Sequence, residues 1–279
     1  MLFQPESPSP SEPPKEASND KIRIFSWNLL HGGGRRLPEI AITLSRLRAD
    51  LVILCEFRRN PGASLRAVLA DAGLTHQLCT APESPSRTNG LLLAARLPFR
   101  EIPSQLAQPR DRTRLAHVAL ADDRLRLTAA HIPCVGRERH HSQASGRIWQ
   151  STLNICKSNT CRNHAIVGDL NADRDPAIGA RTDPGAFRLG QLATLGYLDA
   201  CAVQANTAED ARYDPSPEPA PKPTWHGPNG ARARHDYAWL SPALAPKLTR
   251  ARAATELLDQ RLSDHAGLVI DLDLTSPAT

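Results

Sequence analysis

Apolar residues in this chain come in short runs of β-strand length, spread from one end to the other. Leu51–Cys55 and Gly90–Ala95 are among the longest uninterrupted examples. A membrane-crossing helix needs roughly 18–20 such residues in a row, so these runs read as strands buried in a protein interior. Ile22–Trp27 alternates and is rich in β-forming residues. Leu115–Leu120 and Arg124–His131 read as a pair joined by an Asp122-Asp123 turn, and His164–Gly168, Asp236–Leu240 and Gly267–Leu274 complete the set. Helical patterns lie between them. One starts at Pro38, carries Ile40, Ala41, Leu44 and Leu47 on one face and ends near Ala49. Others span Ala63–Ala72, stopped by Gly73, then Gly146–Lys157, and Ala186–Leu195, ended by Gly196. No internal repeat is visible. Periodicity by itself gives a mixed α and β chain, and strands with helices in both halves fit two sheets packed face to face with helices outside.

Hydrophobic residues make up 41% and charged residues 23% of the 279 positions, a globular composition with material for a sizeable core. Residues 1–20 are rich in proline, serine and acids, and read as a disordered tail ahead of one folded domain over 21–279. A second proline-rich stretch, 209–223, reads as an extended loop. Lys plus Arg exceeds Asp plus Glu by 34 − 29 = 5, and the isoelectric point is near 9.1. That excess suits a polyanion such as nucleic acid or a phosphorylated substrate, although a mildly basic surface needs no partner. Cysteines at 55, 79, 134, 156, 161 and 201 lack the paired spacing of a zinc site and read as reduced thiols. The opening residues show no basic stretch followed by an apolar one, which gives the expectation of a cytoplasmic protein.

The acids, amides and histidines are more informative, because they fall at strand ends. Asn28 follows Ile22–Trp27, Glu56 follows Leu51–Cys55, and His131 ends its strand. Asp169 and Asn171 follow His164–Gly168, Asp236 opens the next strand, and Asp264-His265 precedes the last. Rigid elements that end together can hold such groups at one rim for catalysis. Singly, each has a plain structural reading: a turn residue for Asn28, a solvated helix-entry acid for Glu56, a core histidine for His131. Their joint occurrence in one order is what carries weight. The segments are Ser26-Trp27-Asn28, Leu54-Cys55-Glu56, Ala130-His131-Ile132-Pro133, Gly168-Asp169-Leu170-Asn171, Arg234-His235-Asp236-Tyr237 and Ser263-Asp264-His265.

This ordered set resembles the endonuclease/exonuclease/phosphatase family over about residues 22–272, and Gly-Asp-Leu-Asn and Ser-Asp-His are its most specific pieces. The resemblance implies an α+β, four-layer α/β/β/α sandwich with two mainly antiparallel sheets. It implies a divalent-metal-dependent phosphodiester hydrolase, with Mg2+ (or Mn2+) at Glu56, Asn28 beside it and Asp264 as a second metal-side carboxylate. Asp169 would orient or deprotonate the attacking water, Asn171 would donate its amide to a phosphate oxygen, and His265 would contact the scissile phosphate with Asp236 fixing its tautomer. His131 stands where relatives have His or Tyr, and would bind phosphate or protonate the leaving group. These roles agree with what phosphodiester hydrolysis needs: a nucleophilic water, charge neutralisation and help for the leaving oxygen.

Two departures stand out. Leu30 occupies a position where the abasic-site and exonuclease branch often has Asp, which weakens a two-metal arrangement there, although His31 is adjacent; Cys55 stands where Gln is common. Around the site, Asn89, Arg147 and Arg234 could hold phosphates, and Trp225 could line a groove and stack on a base or sugar. The leading expectation is a nuclease acting on DNA, with RNA also open. The alternative is a phosphatase or phosphodiesterase acting on a lipid head group or a small phosphorylated metabolite. A silent binding module would have no need of Glu56, Asp169, Asn171, Asp236 and His265 together. As rim residues, Asp169 and His265 are expected to be replaceable with little effect on thermal stability.

Overall fold

The computed structural model describes residues 20–84, 87–120, 123–134, 139–173, 184–205 and 222–275. The tail at 1–19, Asp122 of the expected turn and the proline-rich stretch 209–221 lie outside the described residues. The first part of the chain forms β1 (Lys21–Asn28), α1 (Leu37–Arg46), β2 (Leu51–Phe57), α2 (Ala63–Asp71), β3 (His76–Cys79), β4 (Gly90–Ala95) and β5 (Phe99–Glu101). Then come α3 (Pro109–Arg112), β6 (Leu115–Leu120), β7 (Leu125–His131), α4 (Arg139–Lys157), β8 (His164–Asp169), α5 (Pro184–Thr194), β9 (Leu198–Asp199) and α6 (Ala200–Ala205). The remainder holds β10 (Trp225–His226), β11 (Arg232–Ala233), β12 (Asp236–Leu240), β13 (Leu248–Ala254), α7 (Glu256–Asp259) and β14 (Gly267–Asp273).

Two six-stranded sheets result, ordered β13-β14-β1-β2-β4-β3 and β5-β6-β7-β8-β12-β9, with β10-β11 as a separate ribbon. Each large sheet contains one parallel pair, β1 with β2 and β7 with β8, and its other pairs are antiparallel. The connection of each parallel pair contains a helix, α1 or α4, because a parallel return requires a crossover that a tight turn cannot supply.

Strand alternation divides the apolar residues among three layers. Ile22 and Ile24 of β1, Leu51 and Ile53 of β2, Val118 of β6, Leu125 and Leu127 of β7, Val167 of β8 and Leu240 of β12 meet in one cluster between the sheets. Phe25, Trp27, Val52 and Leu54 face the opposite way and pack on Ile40 and Leu44 of α1 and Leu65 and Leu69 of α2. Ile166, Tyr237 and Trp239 pack outward on Ile148, Trp149 and Leu153 of α4 and Leu189 and Leu192 of α5. The layers therefore run helix, sheet, sheet, helix. No helix among the described residues is long and apolar enough to cross a membrane.

The central strands lie where the apolar pattern places them. The edge strands β3, β5 and β13 carry too few apolar residues to show one: β13 reads Leu-Thr-Arg-Ala-Arg-Ala-Ala, with Thr249 and Arg250 exposed. Polar edges are what keep a sheet from adding foreign strands. Strand β2 runs on through Glu56 to Phe57, with a register shift between Leu54 and Phe57, so Glu56 lies at a bulge within the strand and not beyond it. Helix α4 starts seven residues before its expected Gly146, at Arg139, because its first turns are polar.

Beneath α4 lies a buried polar chain whose donors and acceptors can all be assigned. His117 Nδ1 contacts Thr128 Oγ1 at 3.0 Å, and Thr128 Oγ1 contacts His164 Nε2 at 2.8 Å. His164 Nδ1 contacts Tyr197 Oη at 2.6 Å, and Tyr197 donates to the Cys156 carbonyl at 3.3 Å. His117 Nδ1 also meets the Leu127 carbonyl at 3.2 Å and so donates, which leaves Thr128 to donate to His164 Nε2 and requires the His164 imidazole to be neutral. Burial agrees, pushing His117 down to about 4 and His164 well below its ordinary value. In the unfolded chain both would titrate near 6.5, so the unfolded state binds more protons below that pH. Stability is then full above pH ~6.5 and is lost as pH falls toward ~4. Thermal unfolding followed between pH 7 and 4 should show this decline, and His117→Gln should make it shallower.

Candidate active site

Four of the inward-facing rows end in polar side chains. In β1 the row Ile22, Ile24, Ser26 terminates in Asn28, in β7 Leu125, Leu127, Ala129 terminates in His131, in β8 Ala165, Val167 terminates in Asp169, and in β12 Leu240, Ala238 terminates in Asp236. Register aligns three of them: His131 pairs with Asp169 across β7 and β8, and Asp169 with Asp236 across β8 and β12. Gly168 makes this possible. Its φ is +146°, and a Cβ there would collide with the Ala130 carbonyl of the neighbouring strand.

The first sheet supplies the opposing wall. Asn28 pairs with Cys55 across β1 and β2, which brings Glu56 alongside. Asn28 Nδ2 donates to Asp169 Oδ2 at 2.8 Å and lies 3.4 Å from Glu56 Oε1, so one amide bridges carboxylates from two sheets. Asn28 Oδ1 accepts the Leu30 N–H at 2.9 Å. Glu56 Oε2 accepts the His31 N–H at 2.6 Å and Asn89 Nδ2 at 3.0 Å. His265 enters from the loop before β14, tied down by a hydrogen bond from Trp27 Nε1 to its carbonyl at 2.9 Å.

His265 Nδ1 lies 2.8 Å from Asp236 Oδ2, so it must be the donor, and Nε2 faces Asp169 Oδ2 at 3.9 Å and Asp264 Oδ1 at 4.0 Å. Burial would neutralise this imidazole, but Asp236, Asp169 and Asp264 outweigh it and raise its pKa to about 10. It is an imidazolium at neutral pH. Asp169 is pushed up to about 7, first by burial and then by Asp236, against the attraction of His265. Such a carboxyl is poised to exchange a proton near neutral pH.

His131 is the converse case. Arg114 Nη1, which can only donate, lies 3.2 Å from His131 Nδ1, so that nitrogen accepts and Nε2 carries the hydrogen. Burial, reinforced by the Arg114 charge, lowers His131 to about 3. Its Nε2 points between Glu56 Oε1 at 3.8 Å and Asp169 Oδ2 at 3.9 Å. Burial opposes ionisation of Glu56, but the facing His131, the His31 backbone N–H and imidazole, and Asn28 together hold its carboxyl below the ordinary value.

The arrangement fits a bound cation. Ligand-type atoms of Asp169, Asp236 and His265 lie within 4.8 Å of one another, a group that could hold a metal ion. Within that group the Asp236–His265 pair is already satisfied by its own ion pair. The negative charge still in need of compensation is on Asp169, whose raised pKa records it.

All of Asn28, Glu56, His131, Asp169, Asp236, Asp264 and His265 therefore come together. Asn171 joins them through its backbone N–H, which donates to Asp169 Oδ1 at 2.9 Å, and its side-chain amide donates to the Ile132 carbonyl. Trp225 stacks on His235 with ring centroids 5.0 Å apart and donates from Nε1 to Asp264 Oδ2 at 3.1 Å. Asn89 serves Glu56, as above. Arg147 pairs with Asp111 at 2.6 Å at the edge of a 550 Å³ cavity that Arg110, Arg114 and His141 also line. Arg234 departs from its expected place at the substrate. Its guanidinium is buried, paired with both oxygens of Asp199 at 2.5 and 2.6 Å, and lies 4.4 Å over the Tyr237 ring. Asp169 and His265, expected as rim residues replaceable with little effect on thermal stability, are buried, at 1% and 6% exposed. Arg114 was absent from the candidates, though counting back through the β6–β7 hairpin from its turn places it opposite His131.

A family model described as endonuclease/exonuclease/phosphatase family matches residues 25–265. The chain belongs to that family. No curated protein matches it. Among solved structures, a 3′ phosphatase, NExo, from Neisseria bound to product DNA hairpin superposes with a TM-score of 0.71 at 18% identity, covering 90% of this chain and 99% of that one. An AP endonuclease from Archaeoglobus fulgidus gives 0.69 at 17% identity, covering 90% and 99%. An endonuclease/exonuclease/phosphatase from Beutenbergia cavernae gives 0.60 at 20% identity, covering 91% and 71%. At these identities the likeness is one of fold.

Opposite effects on stability should separate the two buried charges. Asp169→Asn removes a carboxylate that the fold holds against its preference, so the unfolding midpoint should stay level or rise. His265→Ala leaves Asp236 buried without its partner and should cost on the order of 3 kcal/mol. Denaturant unfolding of both variants checks this; a larger loss for Asp169→Asn would contradict the charge assignment.

Proposed function

We propose that this phosphoesterase is a divalent-metal-dependent nuclease acting on DNA. The observation that carries the hydrolytic reading is the line Asp236–His265–Asp169, cation between carboxylates, facing Glu56 across the seam of the two sheets. The preference for DNA is supported by the arginine-lined cavity that adjoins His131 through Arg114, by the excess of basic residues, by the product DNA hairpin bound to the Neisseria 3′ phosphatase and by the AP endonuclease named for Archaeoglobus.

Glu56, with Asp264 and Asn28 beside it, would hold Mg2+ or Mn2+. When bound, the ion neutralises charge on the phosphoryl oxygens. Asp169, with one oxygen fixed by the Asn171 N–H and the other by Asn28, takes the proton from the attacking water. A carboxyl poised near 7 can accept that proton without being inert beforehand. The His265 imidazolium donates from Nε2 to a non-bridging phosphate oxygen, where negative charge grows in the transition state. Neutral His131 offers its Nε2–H to the phosphate or the leaving oxygen. Asn171 keeps Asp169 aimed while its own amide is partly engaged by Ile132.

Labelled single-stranded DNA, duplex DNA, abasic-site duplex and RNA, incubated with and without Mg2+, provide the test. Cleavage of DNA that EDTA abolishes, and that Asp169→Asn lowers by about 10³-fold or more, is the expected outcome. No cleavage of any nucleic acid, with metal-dependent hydrolysis of sphingomyelin or an inositol phosphate instead, would replace the nuclease reading with the alternative.

A further inference from the structure

The loop after β1 has a feature that the hydrolytic mechanism leaves unused. Leu30, His31, Gly32, Gly33 and Gly34 all have positive φ, at 53°, 55°, 79°, 79° and 53°. Two of these are not glycine, and the residue they fold back upon, Glu56, is itself left-handed at 56°. Each non-glycine residue held this way costs about 1–2 kcal/mol, and such strain persists only where the surroundings enforce it. Here they do. Arg36 donates to the carbonyls of Leu29, Leu30 and Leu262, closing the loop onto the segment before Asp264. Arg58 packs under Gly32 and donates from Nε to Asn89 Oδ1 at 2.8 Å.

The result is that the His31 imidazole sits over Glu56, with Nδ1 2.9 Å from Oε2. Asn89 Nδ2 touches both, at 3.0 Å from Oε2 and 3.4 Å from Nδ1. The His31 side chain is 65% exposed, so the position is open to solvent and to an exchanging ion. Two adjacent ligands of an octahedral ion, each at about 2.1 Å, are separated by about 3.0 Å. Nδ1 and Oε2 are hydrogen-bonded at 2.9 Å, and a cation that takes the place of the shared proton finds them already at that separation. His131 cannot serve the same purpose, because it is buried and its Nδ1 is held by the Arg114 guanidinium.

The geometry points to His31 as a nitrogen ligand of the cation held at Glu56, giving a mixed imidazole–carboxylate centre that favours Mn2+ over Mg2+. This rests on Glu56 being the metal-holding carboxylate, as proposed above, and extends it. Mg2+ prefers an all-oxygen shell, whereas first-row ions accept imidazole. Since Leu30 offers no carboxylate on this side, His31 supplies the donor that the backbone has placed within reach.

The test is metal binding by the full chain, read without turnover. Electron spin-echo spectra of bound Mn2+ report a coordinated imidazole nitrogen directly, and titration calorimetry gives Mn2+ and Mg2+ affinities. His31→Gly suits the left-handed backbone and removes the ring; His31→Asn also tolerates that backbone and keeps a polar contact with Glu56. Expected are a nitrogen coupling in the wild type that both variants lose, and a Mn2+ affinity weakened about tenfold or more with Mg2+ affinity much less affected. Persistence of the coupling in His31→Gly, or unchanged Mn2+ affinity there while Glu56→Gln abolishes binding, overturns the His31 assignment and leaves the metal centre standing. If Glu56→Gln binds both ions as the wild type does, the centre at Glu56 fails together with it.

Discussion

The ion pair between His265 and Asp236, with Asp169 facing it, ties the active site to the packing of the two sheets. A buried imidazolium without neighbours would lose its proton. Here Asp236 and Asp169 stand opposite each other in the β8–β12 register, both on the inner face of the second sheet. His265 comes from the other sheet, leading into β14, and the indole of Trp27 in β1 holds its carbonyl. Cation and carboxylates thus belong to different sheets and meet only when the inter-sheet layer is closed. The apolar row of Val167, Ala238 and Leu127 behind them keeps water from weakening the attraction. Folding the sandwich and charging the site are coupled events.

The central strands and the polar groups at their ends were legible because burial on both faces forces a continuous apolar run, which stops where the strand must carry chemistry. That is why Asn28, His131, Asp169 and Asp236 could be read as a set. Glu56 was legible by type but not by placement, since a bulge shows in backbone angles and not in residue pattern. Edge strands such as β13 were invisible for the opposite reason: their exposed side alternates arginine and threonine with alanine. The strained loop at 30–34 was readable only as a glycine run, because nothing in Leu30 or His31 announces a left-handed backbone.

Arg234 shows a different limit. An arginine two positions before a site aspartate looks like a phosphate ligand, and only three-dimensional burial reveals that Asp199, over thirty residues away in sequence, claims it. Arg147 illustrates the same ambiguity in partial form, since it pairs with Asp111 while still bordering the cavity beside His131. Long side chains near a site are assigned by their counter-charges, and a sequence does not print those pairings.

Two histidines at one site in opposite states are the strongest consequence of this arrangement. His131 and His265 are buried to a similar degree, 5% and 6% exposed, so burial alone would leave both neutral. What differs is the partner of Nδ1. An arginine there forces His131 to accept and to present a neutral Nε2–H, while a carboxylate forces His265 to donate and sustains its second proton. Their chemistry is therefore fixed by Arg114 and Asp236, one at the entrance of β6 and the other at that of β12. Both hold because the neighbouring strands β7 and β8 keep register through Gly168 to their last residues.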